Sequence, residues 1–310
     1  MNTTTQVRRI AERDVTVTNL DKVLFPSAGI TKGQLIEHYV RVAEVMVPLI
    51  AGRAMTLRRY PDGIAEDGWF QKHAPSHLPS WVDRATLERG KDGGTIEHIV
   101  VNGPATLVYL ANLAAIELHV SPAPAATPDR PAELIFDLDP PPDAPPAIAR
   151  RATRRCLALL QELQIPSRVK TSGSAGFHVH VSLDGRGTQD LARQVARGIA
   201  ILLTRRYPDE LTVEHRRAQR GERVLVDWMR NSPHQTYVAP YSVRALEGAP
   251  VATPMDEDEL SGTDPQRWTI ASLARRLAQR PPSWSGDPER VDLHTAGNAL
   301  TQALEEVGAA

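Results

Sequence analysis

A chain of 310 residues with 41% apolar and 24% charged residues has the composition of a folded globular protein, large enough for one big domain or two smaller ones. No apolar run approaches the ~20 residues that cross a bilayer, and Met1 to Glu12 lacks the apolar core of a secretion signal, so the reading is a cytoplasmic protein without a membrane role. A single cysteine, Cys156, excludes an internal disulfide and a cysteine-based zinc site, and a net charge of −1 requires any nucleic-acid surface to be local.

Residues 1–14 read as a flexible N-terminal arm giving way to a short strand. Thr31-Lys-Gly-Gln34 has capping-box spacing. The helix it opens is expected to run to about Met46, with Leu35, Ile36, Tyr39, Val42, Ala43 and Met46 inward, and Pro48 is expected to end or bend it. Ala54 to Tyr60 alternates like a strand and meets a Pro61-Asp-Gly63 turn. The proline- and alanine-rich stretch Ser121 to Pro131 is the best internal boundary. A strand follows over Glu133 to Asp139, stopped by Pro140-Pro-Pro. A helix over about Ala147 to Gln164 is expected to bury Cys156. Strands at Arg168–Thr171 and Phe177–Leu183, a helix over Gln189–Tyr207, a strand at Arg223–Trp228 and a last helix near Thr269–Arg280 complete the pattern. Helices and strands interleave without a regular βαβ count, which predicts an α/β or α+β fold with mixed or antiparallel sheets flanked by helices. One catalytic domain is expected over 15–290, with parts 15–120 and 132–290, and a C-terminal tail over 291–310.

Three segments carry chemistry. Side chains alternate across a strand, so Asp137 and Asp139 share a face with Ile135. Two acids there are hard ligands for Mg²⁺ or Mn²⁺, or simply a solvated strand end. Val224-Leu-Val-Asp227 ends a second apolar strand in an acid, which either joins the same site or opens a turn. Three carboxylates suit two divalent ions about 3.5–4 Å apart, as in phosphoryl transfer. In Thr171-Ser-Gly-Ser-Ala-Gly-Phe-His178, glycines allow a tight path and small residues let phosphate oxygens approach backbone N–H groups. As a lone loop it reads as a plain hairpin turn, as most such Ser/Gly loops are. His180, on the same strand face as His178, reads as a core histidine.

Taken in order, these segments resemble the polymerase domain of bacterial ligase D, in the archaeo-eukaryotic primase superfamily. The likeness runs from about Val15 to Arg280. It includes Thr18-Asn-Leu-Asp-Lys-Val-Leu-Phe-Pro26, Phe70-Gln-Lys-His73, Ile116-Glu-Leu-His119, Val226-Asp-Trp228 and Ala239-Pro-Tyr-Ser-Val-Arg244. The resemblance implies a nucleotidyl transferase that adds nucleotides, preferably ribonucleotides, to DNA 3′ ends at gaps or double-strand breaks in non-homologous end joining. By the same likeness, Asp137, Asp139 and Asp227 match its catalytic metal ligands for two Mn²⁺ (or Mg²⁺) ions. Ser172, Gly176, His178 and Arg244 match its triphosphate contacts, His119 a histidine near metals and nucleotide, and Phe70 the platform for the incoming base. Asn19, Lys22 and Lys32 match the grip on a DNA 5′-phosphate, Arg59 a basic DNA contact, and Arg220 a residue in a loop that arranges template and termini. Implied partners are gapped, nicked or broken DNA, ribonucleoside triphosphates, a DNA ligase and a Ku-type end-binding protein; the implied location is cytoplasmic, at the nucleoid.

Two departures stand out. Ala175 occupies the place of a lysine that in the family contacts the triphosphate. No Lys-x-Asp-Gly ligase signature appears, since Lys91-Asp-Gly lacks the spacer, so the chain reads as a stand-alone polymerase or an excised piece of a larger protein. The alternatives from other classes are a non-catalytic module binding DNA ends through the 5′-phosphate, and a metal-dependent 3′-phosphoesterase using His178, His180 and the Asp pair.

Overall fold

The computed structural model describes residues 4–89, 93–306 and 308; Lys91 and Asp92 of the Lys91-Asp-Gly segment lie outside them, as do the first three residues of the expected arm. In chain order the elements are β1 (Thr5–Ile10), β2 (Arg13–Thr18), β3 (Val23–Phe25), β4 (Ile30–Thr31), α1 (Lys32–Ile50), β5 (Arg53–Arg59), β6 (Trp69–Gln71), β7 (Arg84–Glu88), β8 (Thr95–Ile99), α2 (Pro104–Asn112), β9 (Ala115–Pro124) and β10 (Glu133–Asp139). They continue with α3 (Pro146–Glu162), β11 (Arg168–Thr171), β12 (Phe177–Ser182), α4 (Gln189–Arg206), β13 (Leu211–Thr212), α5 (Arg217–Arg220), β14 (Val224–Asp227), β15 (Tyr237–Val238), β16 (Pro254–Met255), α6 (Ile270–Gln279) and α7 (Leu293–Glu306). The chain divides into two compact units, the first built from 1–121, 236–253 and 266–282, the second from 122–235, 254–265 and 283–310.

In the first unit a four-stranded sheet has the order β15-β9-β5-β6, with α1, α2 and α6 packed together nearby. The expected capping box forms: Thr31 Oγ1 accepts from the Gln34 N–H, and the Gln34 side chain accepts from the Thr31 N–H. Helix α1 runs on through Pro48 to Ile50 rather than stopping near Met46. A proline in the last turn removes only one intrahelical bond, and burial of Met46 and Ile50 outweighs that loss. The expected arm is a hairpin instead: β1 pairs antiparallel with β2 from Thr5↔Thr18 to Ile10↔Arg13. Val15 and Val17 are buried, and the Thr18 N–H donates to Asn112 Oδ1 of α2. Val15 and Val17 alternate openly along β2, whereas β1 is largely exposed and shows no such alternation. Residues 236–253 and 266–282 return to this unit, although the sequence division placed them in the catalytic core, because Tyr237 and Val238 pair with Val120 and His119.

The second unit is a six-stranded sheet of order β13-β14-β10-β12-β11-β16, antiparallel except for the β13–β14 pair, with α3 and α4 packed against it. Its centre is the apolar strand pair β10–β12, with Leu134, Ile135, Phe136, Val179 and Val181 fully buried. Cys156 of α3 is buried here, as its periodicity predicts. The expected tail holds α7: Leu293, Ala296, Leu300 and Ala303 form its buried stripe, and the Asp292 carboxylate accepts from the His294 and Thr295 N–H groups at its start.

Candidate active site

The central sheet of the second unit gathers the acids. Register pairs Lys170 with His178, His178 with Asp137, and Asp137 with Asp227, so four polar side chains form one row across β11, β12, β10 and β14. Asp139 lies two residues along β10 on the same face. Both β10 and β14 end at these acids, because Pro140 follows one and a 3-10 turn over Met229–Asn231 follows the other. That turn brings Arg230 back over the strand ends.

Arg230 Nε lies 3.1 Å from Asp227 Oδ2 and 3.5 Å from Asp137 Oδ2, Arg220 Nη1 donates to Asp139 Oδ2 at 3.1 Å, and His178 Nε2 lies 3.4 Å from Asp137 Oδ1. Burial opposes ionisation of Asp137, yet His178, Arg230 and Lys170 together hold its carboxyl well below the usual range. Asp139 and Asp227 are instead pushed up, by burial and, for Asp139, most directly by the charge of Asp137. Burial, reinforced by Lys170, pushes His178 down to about 3, so the ring is neutral near pH 7. Oxygen donors from neighbouring strand ends, held together against their own repulsion, fit hard divalent cations. Arg220 and Arg230 hold these carboxylates where such cations would take over. A different acid group, Asp256, Asp258 and Glu259, gathers at the start of a 3-10 turn, where Asp256 and Glu259 form its capping box.

The Ser/Gly loop joins β11 to β12. Ser172 Oγ accepts from the N–H groups of Ser174 and Gly176, and the Ser172 N–H donates to Gly176 O, so the hydroxyl shapes the loop and takes up two N–H groups expected to face phosphate. Gly176 is required sterically: a Cβ there would sit 1.9 Å from Leu138 O. Beside Ala175 a cavity of about 270 Å³ is walled by Asp139, Pro141, Ser174, Arg217, Arg220 and Arg223. His180 is fully buried, with Nδ1 3.0 Å from Glu133 Oε2, the core role expected of it.

The other predicted residues belong to the first unit. Phe70, on the outermost strand β6, is 60% exposed, and its ring meets His119 edge-to-face at 5.6 Å. His119 Nε2 donates to Glu117 Oε2 at 3.0 Å, and Arg244 Nε lies 3.3 Å from Glu117 Oε1. Lys22 and Lys32 come together, since the Lys32 N–H donates to Lys22 O across β3–β4. Lys22 Nζ pairs with Asp62 at 2.7 Å, and Lys32 Nζ donates to Thr18 Oγ1 and Asn112 O. Burial and the charge of Lys22 push Lys32 down to about 8. Asn19 takes a left-handed φ of 52° at the turn that leads into Lys22. Arg59 is bound up in the fold, its Nε donating to Leu113 O and Nη1 to Gln71 Oε1, with Trp69 stacked at 5.3 Å. Sequence reading missed Arg230, Lys170, Glu117 and Arg58. Arg230 had a signal in its position three residues after Asp227, and Glu117 one in its place two residues before His119 on the same strand, but Arg58 matters only through contacts from another strand.

The family model for the LigD primase-polymerase domain matches residues 31–284. The chain therefore belongs to that family. It is 35% identical over 269 residues to the multifunctional non-homologous end joining protein LigD of Mycolicibacterium smegmatis, covering 85% of this chain and 34% of that protein. It is 31% identical over 265 residues to the bifunctional LigD of Bacillus subtilis, covering 85% of this chain and 42% of that one. The chain thus spans roughly a third to two-fifths of these relatives. Among solved structures, the polymerase domain of Mycobacterium tuberculosis ligase D in complex with DNA matches with a TM-score of 0.80 at 32% identity, over 86% of this chain and 96% of that one. The mixed α/β architecture with largely antiparallel sheets agrees with the expected fold class.

Proposed function

We propose that this chain is a DNA-dependent nucleotidyl transferase that extends DNA 3′ ends at gaps and double-strand breaks, with ribonucleotides preferred, in non-homologous end joining. The observation that carries the reading is the acid set at the strand ends: Asp137 opposite Asp227, and Asp139 on the same face. Divalent cations bound by these carboxylates, Mn²⁺ before Mg²⁺, supply neutralisation of the triphosphate and an activated 3′-hydroxyl. In the reaction the primer 3′-hydroxyl attacks the nucleotide α-phosphate and pyrophosphate leaves.

The chain's own residues bind and orient. Asp137 stays ionised because His178, Arg230 and Lys170 favour its charge. Neutral His178 donates a hydrogen bond without repelling the cations. Ser172 and Gly176 hold the loop that receives phosphate, and the Arg244 guanidinium pairs with phosphate oxygens. Exposed Phe70 offers a ring to the base, and stacking of that kind tolerates any base. Asn19, Lys22 and Lys32 take the DNA 5′-phosphate, with Arg59 and Arg220 supporting the DNA. A ligase and a Ku-type protein are the expected partners.

The test is extension of a labelled primer across a 5′-phosphorylated gap, with Mn²⁺ against Mg²⁺ and ribo- against deoxyribonucleotides. The parent extends, best with Mn²⁺ and ribonucleotides, and Asp137→Ala with Asp139→Ala abolishes product. Equal extension by that double variant would sink the proposal. Binding of the gapped duplex without any product by the parent would favour an end-binding module instead.

A further inference from the structure

Glu117 lies in β9 with its side chain 2% exposed, on the same strand face as His119. Its two oxygens take four cationic or N–H partners. Oε2 accepts from His119 Nε2 at 3.0 Å. Oε1 accepts from the Ala245 N–H at 3.1 Å and from Arg58 Nη1 at 3.4 Å, and lies 3.3 Å from Arg244 Nε. Arg58 in turn covers the rings of Phe70 at 5.4 Å and Tyr60 at 5.2 Å, and Phe70 meets the His119 ring. One carboxylate therefore ties down a histidine, an arginine together with the backbone that follows it, and the cation that backs an exposed aromatic ring. Burial opposes its ionisation, but these donors hold it ionised, at about 2.

We propose that Glu117 is a positioning residue for nucleotide binding, resting on the polymerase reading above: it fixes the His119 tautomer and aims Arg244 and Phe70. A carboxylate only accepts, so Nε2 of His119 carries a hydrogen, and whenever the ring is neutral Nδ1 is the acceptor atom. The same carboxylate holds Arg244 from two directions, through the guanidinium and through the Ala245 N–H. That limits the rotamers the arginine loses on meeting a phosphate, which is how preorganisation raises affinity. Its charge also cancels one of the two guanidinium charges beside it, leaving a net of one for an anionic ligand.

Two measurements test this. The first is the ¹⁵N spectrum of the His119 imidazole in the unmodified protein, where Nε2 is expected to carry the hydrogen. The second compares Glu117→Gln with the parent. A glutamine keeps the shape, and with its one oxygen held by the Ala245 N–H, Arg58 and Arg244 its amide nitrogen faces His119 and can only donate, so the ring hydrogen moves to Nδ1 or the contact is lost. The nucleotide KM in primer extension is expected to rise about tenfold to a hundredfold, the loss of one charge-assisted contact. The affinity for a 5′-phosphorylated gapped duplex stays at the parent value, because Lys22 and Lys32 are untouched. An Nδ1–H tautomer in the parent overturns the proposal, whatever the variant does. So does a Glu117→Gln protein with a lowered melting point and the parent's nucleotide KM, which is the mark of a purely structural carboxylate. A parent that extends no primer refutes the polymerase reading, and the spectrum then decides separately whether Glu117 orients His119.

Discussion

Replacing Asn231 with alanine strips three hydrogen bonds from the core of the acid-bearing sheet. Strand β14 ends at Asp227, so the Ile135 edge of β10 has no strand beside it. Asn231, 1% exposed, fills that place: its Oδ1 accepts from the Ile135 N–H at 2.8 Å, and its Nδ2 donates to Ile135 O at 2.7 Å and Trp228 O at 2.8 Å. Alanine leaves the buried N–H and C=O of Ile135 without these partners, while Trp228 O keeps the backbone N–H of residue 231 at 3.1 Å. Each costs about 1–3 kcal/mol when unsatisfied, and partial rearrangement brings the total to about 3–5 kcal/mol. At roughly 2–4 °C per kcal/mol for a unit of this size, the melting point falls by roughly 6–20 °C. Amide exchange at Ile135 accelerates by roughly a hundredfold or more, since about 1.4 kcal/mol is a factor of ten. Asn231→Asp fares no better: it keeps an acceptor for the Ile135 N–H, but it has no donor for either carbonyl and buries a charge. The assays are thermal unfolding and hydrogen exchange resolved at Ile135. A melting point within about 2 °C of the parent, with the Ile135 amide still protected, refutes the idea that one side chain stands in for a strand here.

Lys32 should make recognition of the 5′-phosphate depend on pH. Its pKa is about 8 in the free protein, and a bound phosphate dianion favours the charged ammonium, so the complex takes up a proton wherever free Lys32 is neutral. The preference for phosphorylated over unphosphorylated gap is therefore full below pH 8 and falls progressively above it, being lost as pH passes the higher pKa of the complex; Lys32→Arg flattens the profile, and a flat profile in the parent up to pH 9 contradicts the assignment. Ala175→Lys should tighten the nucleotide, because the cavity of about 270 Å³ beside Ala175 has room for the longer side chain. A restored charge-assisted contact of about 1–3 kcal/mol corresponds to a KM lower by about fivefold to a hundredfold, read by primer extension, and an unchanged KM means that the cavity's arginines already serve the phosphate.

Much was legible in the sequence because it is local. Strand β10 matches its alternation and the proline stop from Glu133 to Asp139, and α1 opens on the capping box written in Thr31 to Gln34. Backbone hydrogen bonding and side-chain period act within a few residues, so a pattern of three or four letters suffices. The hairpin β1–β2 and helix α7 were misread as arm and tail, since their buried faces have meaning only against α2 and α4.

The sequence by itself determined that Asp137 and Asp139 share a face, because alternation along a strand admits nothing else. It also supplied, through ordered motifs, the family and the candidate residues. Only the tertiary structure decided that Asp137 stands opposite Asp227 and His178, that Arg230 and Arg220 hold the three acids, and that Glu117 gathers Arg58 and Arg244 beside His119. The physical reason is that charge acts through space. A carboxylate's neighbours are set by strand register and by the turn that brings an arginine back, and residues separated by more than a hundred positions, such as Glu117 and Arg244, meet only once the sheet has formed.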